Sequence, residues 1–169
     1  MRLEYYDMQD MYESVIKFNI MAKSIAPLYS CRSEEFYTRL KQQLALVQEE
    51  LNEALQSIEN KDNPELIKEL VDIGVVWMGA MGVMRSAGFQ IQDAMEKVCE
   101  NNLNKILDSK EEAEESIKAL AEKGVEAYIE EVFYFGDTYY ALRRKSDGKI
   151  LKPYFFKKLD VSEYVPTTH

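Results

Sequence analysis

Apolar residues in the first 124 positions recur every three or four residues, the period of helices lying on a core. From about residue 3 to residue 26 there is no glycine or proline, and Tyr5, Met8, Met11, Tyr12, Val15, Phe18, Met21 and Ala22 keep that spacing. This predicts a first amphipathic helix with Phe18 in the core and Asn19 exposed. "APLYSC" at residues 26–31 reads as a loop, and Ser33 is placed to cap a second helix running to about Glu59. "NKDNP" at residues 60–64 predicts a turn, with Asn63 as N-cap and Pro64 in the first helical position. A third helix is expected to end at Ala87, before Gly88, and a fourth to span about Gln90 to Ile106. "SKEE" at residues 109–112 is a capping box opening a fifth helix, which Gly124 stops.

Beyond Gly124 the pattern changes. "VEAYIEEVFYF" and "TYYALRRK" are aromatic and β-branched with partial alternation, and "GD" at 136–137 and "SDGK" at 146–149 are turn signals. Residues 125–152 therefore predict two or three antiparallel strands, followed by an extended tail. The fold class expected is all-α: a four-helix-bundle core of about five helices in residues 1–124, with a small C-terminal antiparallel β appendage in residues 125–169.

Helical wheels then sort the acids. On the second helix Leu44, Val47, Leu51, Leu55 and Ile58 form one aliphatic stripe, expected to be the core face. Glu50 and Glu53 lie beside that stripe, and Glu49 points further round. On the third helix Glu69 and Asp72 continue into Val76, Gly79, Ala80 and Val83, while Leu66, Leu70, Ile73, Trp77 and Met84 make the opposite flank. No charge appears on any face between Ile73 and Met84, which predicts a helix buried all round, with Trp77 in the core. A Glu-x-x-Glu pair alone reads as a solvated face. Here two acidic pairs sit on consecutive helices joined by a short turn. At about 1.5 Å rise per residue, antiparallel packing brings them to the same height. Four unpaired carboxylates meeting there would repel and would need a cation; all-oxygen ligation suits Mg²⁺ or Mn²⁺.

Composition narrows the chemistry. The net charge is −9 and no basic stripe is visible, so a nucleic-acid polymer is not the expected partner. The N-terminus lacks signal-peptide character, and the longest apolar run, residues 73–84, is too short for a bilayer. Two cysteines, Cys31 and Cys99, show no pairing motif and fit a reducing cytoplasm. The one histidine is His169, at the end of the chain, which argues against histidine-based catalysis or a zinc site built on histidines.

Glu49-Glu50-x-x-Glu53 followed by Glu69-x-x-Asp72 resembles the EExxE…ExxD motif of the MazG-type all-α nucleoside triphosphate pyrophosphohydrolases, the group that includes dimeric dUTPases and dCTPases. "NNLNK" at residues 101–105 resembles the N-x-x-K element of small MazG-like proteins, although Asn104 stands where relatives often have Ser. "YYALRRKSDGKILKP" resembles the C-terminal extension of MazG-like proteins encoded by bacteriophages, which would act in the host cytoplasm. The resemblance spans roughly residues 36–153. It implies a MazG-like bundle completed by self-association, as a homodimer or homotetramer. It also implies the reaction (d)NTP + H₂O → (d)NMP + diphosphate, with two or more Mg²⁺ or Mn²⁺ ions and a deoxynucleotide as the favoured substrate.

By the resemblance, Glu50, Glu53, Glu69 and Asp72 are metal ligands. Glu49 is an acid that orients water, and with Glu50 and Glu53 it makes up the catalytic group. Asn102 and Lys105 contact substrate. Lys97, two turns earlier, reads either as an assisting charge or as a surface lysine, and Asn19 of "KFN" either as a base contact or as an exposed residue beside a core Phe18. Lys149 and Lys152 of the extension read either as phosphate contacts or as solvated strand-edge charges. Two other readings stay open: a non-catalytic helical oligomerisation module, and a hydrolase of another pyrophosphate-containing nucleotide.

Overall fold

A computed structural model describes residues 8–26 and 28–167; the start of the first predicted helix, Pro27 and His169 lie outside them. The described residues form five α-helices, a short 3₁₀ turn at Ser162–Tyr164 and a small C-terminal antiparallel sheet, the class that the pattern predicts. No described helix is long and apolar enough to cross a membrane. Two compact units are present. One holds α1 (Met8–Met21), α2 (Glu34–Asn60) and α3 (Asn63–Ser86), together with residues from Glu163 on. The other runs from Gln92 to Ser162. The change in sequence character at residue 124 is thus not where the compact units part, because α5 (Lys110–Glu122) packs on the sheet.

In the first unit α3 is central and packs on both α2 and α1. Ser33 caps α2 by accepting from Phe36 N, as expected. The cap of α3 is Asp62, which accepts from Glu65 N, one residue before the expected Asn63. The turn between α2 and α3 is therefore only Lys61 and Asp62, with Lys61 left-handed at φ 57°. The core joins Ile25, Tyr29, Phe36, Val83 and Ala87, and the Phe36 and Phe89 rings stack at 5.7 Å.

Three expected faces differ. In α1, Phe18 is 67% exposed and Asn19 only 9%, the reverse of the expectation, since the buried positions follow Tyr12, Ile16 and Asn19. In α2 the seam against α3 runs through Phe36, Leu40, Gln43, Val47, Glu50, Ala54 and Ser57. Leu44, Leu51, Leu55 and Ile58 are exposed. Small and polar residues let the two backbones approach, and the larger aliphatic side chains are turned outward. In α3, Leu70, Val75 and Trp77 are exposed rather than core; the buried residues are Glu69 and Gly79 to Val83.

In the second unit α4 (Ile91–Leu103) stops short of the expected Ile106 and buries no side chain. Ile106–Leu107 instead form β1, which pairs antiparallel with β3 (Asp137–Arg144). β3 also pairs with β2 (Ala127–Tyr134) in a hairpin turning at Phe135 and Gly136, both at positive φ. Ser109 caps α5, accepting from Glu112 N. Leu107, Ala113 and Leu142 form this unit's core, with Ile117 and Leu120 of α5 packed against it.

Candidate metal centre

The two helices of the first unit bring Glu50, Glu69 and Asp72 together, with one oxygen of each within 4.8 Å of the others. Glu50 lies on the α2 seam and Glu69 on the α3 seam, and Glu50 and Asp72 stand at nearly equal distances from the two-residue turn, which brings the acids of the antiparallel helices together. Glu69 is 0% exposed, while Glu50 and Asp72 are half-buried. Glu53 is exposed, and its negative charge is among those felt by Glu50. Glu49 is exposed on the outer side of α2.

Lys68, which the motifs do not flag, is part of this cluster. Its ammonium donates to Glu69 Oε1 at 2.5 Å and to Glu65 Oε1 at 3.2 Å, and lies 3.8 Å from Asp72 Oδ2. The spacing was readable in principle, since Lys68 is i+3 from Glu65 and i−4 from Asp72. Lys68 holds the Glu69 carboxyl below the usual carboxylate range. Glu50 is pushed the other way, first by burial, then by hydrogen bonding to Glu69 and by the charges of Asp72, Glu53 and Glu69. The two facing carboxyls are thus shifted in opposite directions, Glu50 upward and Glu69 downward.

One valence of the cluster stays unmet. Glu69 Oε2 is buried and has no hydrogen-bond partner among the described residues. An unpartnered buried carboxylate oxygen is costly, and a cation removes the cost. Its neighbours are hard oxygen donors, so the residues fit Mg²⁺ or Mn²⁺.

Further along the same seam, Gln43 lies seven residues before Glu50, and Gly79 seven after Asp72. Two helical turns place them about 10 Å from the acids. A Cβ on Gly79 would fall 2.5 Å from Gln43 Oε1 and 3.7 Å from Asn19 Nδ2. The glycine thus makes a notch for two buried amides, and Asn19 Nδ2 also donates to Val15 O at 2.9 Å. Gln43 is absent from the sequence expectations, because nothing but its seam position distinguishes it from other glutamines.

Asn102 and Lys105 belong to the second unit, where Lys105 Nζ donates to Asn102 Oδ1 at 2.6 Å. The two residues of the N-x-x-K element thus act on each other directly. Lys97 is paired with Glu100 at 3.2 Å on exposed α4.

A two-helix hairpin that gathers Glu50, Glu69 and Asp72, with one buried oxygen of Glu69 unpartnered among the described residues, defines an all-α domain with an acidic cluster. Residues 39–106, which include most of α2 and all of α3 and α4, match the MazG nucleotide pyrophosphohydrolase domain. Over those 68 of its 169 residues the chain is similar to that family, whose enzymes hydrolyse nucleotide pyrophosphate bonds and use divalent metals. No curated relative and no solved structure matches the chain.

Proposed function

We propose that the protein is a metal-dependent nucleoside triphosphate pyrophosphohydrolase that converts a (d)NTP and water to (d)NMP and diphosphate. The observation that carries this reading is the buried Glu69 carboxylate, one oxygen without a partner among the described residues, facing Glu50 and Asp72 on a MazG-like hairpin. Glu50, Glu69 and Asp72, joined by Glu53, would hold Mg²⁺ or Mn²⁺. The bound ions would supply phosphate charge neutralisation and a water of lowered pKa.

The chain's own residues have separate tasks. Glu49 orients the attacking water from the rim. Asn19 and Gln43 read the nucleobase edge as an amide pair, which can both donate and accept hydrogen bonds. Asn102 and Lys105 contact the phosphates in the role given by the N-x-x-K resemblance, with Lys105 offsetting negative charge and Lys97 assisting. A deoxynucleotide is the favoured substrate, on the likeness of the C-terminal extension to phage-encoded relatives. Self-association as a homodimer or homotetramer would cover Leu44, Leu51, Leu55 and Ile58 of α2, and α4, which buries no side chain of its own.

The test is incubation with each dNTP and NTP plus Mn²⁺, followed by assay for monophosphate and diphosphate. Expected is release of diphosphate from at least one dNTP, and none with EDTA. Asp72→Ala and Glu53→Ala should each abolish turnover while the helical circular dichroism spectrum is kept. No turnover with any nucleotide would sink the reading and favour a helical oligomerisation module, and orthophosphate release would point to another reaction.

A further inference from the structure

We infer that the C-terminal unit carries a binding site for the phosphates of a small polyphosphate, in a hollow ringed by Lys105, Lys123, Lys149 and Lys152. The hollow measures about 600 Å³, within the usual size range of small-molecule sites. It lies wholly within residues 92–162, between the C-terminal end of α5 and the segment after β3.

Its charge is the first reason. The chain has 21 basic residues against 30 acidic ones, yet four lysines line this hollow and no Asp or Glu does among the described residues. None of the four forms an ion pair among the described residues. The nearest acid in sequence to Lys149 is Asp147, which is held by Arg144 through two hydrogen bonds and accepts from the Lys149 backbone N at 3.2 Å, without an ion pair to the Lys149 ammonium. Among the described residues, the Lys105 ammonium meets the neutral amide of Asn102, and Lys152 the Phe156 ring, 5.0 Å from its centroid. Four like charges around a concave surface raise a strong positive potential there, which an anion relieves. Ammonium groups on flexible stems, rather than the planar fork of arginine, suit the several oxygens of a phosphate chain.

The frame is the second reason. Leu151 N donates to Leu142 O at 2.8 Å, Pro153 is buried, and Tyr154 donates from its backbone N to Ser116 Oγ and from its hydroxyl to Glu115. The segment bearing Lys149 and Lys152 is therefore pinned to β3 and α5, and the lysine stems start from fixed points. The Tyr154 and Phe156 rings form part of the same wall and can stack on a base. A nucleoside polyphosphate fits both features, held by lysines instead of by a divalent ion.

This site shares Lys105 with the reading above but not the carboxylates, so binding and turnover can be tested apart. Tripolyphosphate titrated into the full chain in EDTA, followed by calorimetry, should bind, and more weakly as salt is raised. The exposed pair Lys149→Ala/Lys152→Ala should weaken binding at least about tenfold with an unchanged melting temperature. Lys123→Ala, on another element, should weaken it as well. Asp72→Ala should bind tripolyphosphate like the wild type even where hydrolysis with Mn²⁺ is lost. Absence of binding by the wild type would overturn the inference. So would undiminished binding by the lysine variants, or displacement of tripolyphosphate by a far lower concentration of single-stranded oligonucleotide.

Discussion

Lys68 sits where a metal-ligand cluster would otherwise stand bare. Its ammonium touches Glu69 and Glu65 and approaches Asp72, yet the side chain is more than half exposed. A divalent ion at Glu69 would compete with it for the same oxygen. Replacing Lys68 with Met is therefore expected to tighten Mn²⁺ binding several-fold in a calorimetric titration; unchanged or weaker binding would show that the ammonium does not compete. At this scale the sequence was informative where chemistry repeats in a motif, as for Glu50, Glu69 and Asp72. It was less so for Lys68 and Gln43, whose positions matter only once the seam is known. Asn19 was singled out for a base contact yet expected at the surface; a helix wheel weighted by apolar residues cannot anticipate that a buried amide has a glycine notch to enter.

The elements depend on close approaches that small residues permit. A Cβ on Gly82 of α3 would collide with Ile16 Cδ1 of α1 and press on Ile25 at 3.3 Å. Gly82→Ala should cost about 1–3 kcal/mol and loosen α1 first. A lower melting midpoint together with faster proteolysis near residue 22 would support this, and an unchanged midpoint would refute it. At the other end of the chain, Asp147 and Arg144 close the loop after β3, and hydrogen bonding to Arg144 lowers the Asp147 pKa to about 2 from 3.8. A depressed carboxylate stabilises the fold above its unfolded pKa, and the benefit fades as pH falls through the folded value. Asp147→Asn should thus lower stability slightly at pH 5 in denaturant titrations, with the deficit closing towards pH 2; a deficit independent of pH would rule out the ion pair as its cause. Helices and the Ser33 and Ser109 caps were legible because capping residues, Pro64 and the glycine stops act locally, whereas the α3 cap fell at Asp62 rather than Asn63. The face of α2 was not legible, since its aliphatic stripe outscores the seam in hydrophobicity while the seam is set by which residues are small enough to pack. β1 escaped for a similar reason: two residues take strand form only because β3 lies beside them.

Across the whole molecule, the outward leucines of α2 and the unburied α4 leave apolar surface that a second copy can cover. Leu51→Glu/Leu55→Glu should shift the protein to monomers in sedimentation velocity and reduce turnover with them; a wild type already monomeric at micromolar concentration would contradict the assembly. The outward stripe also has a quantitative corollary. When association is weak relative to the amount of protein made, the paired form grows with the square of chain concentration, so output per cell rises faster than expression. If turnover needs the paired form, such an enzyme is quieter when scarce and its output climbs more steeply than gene dosage. It would then spare the nucleotide supply until enough chains have accumulated to find one another.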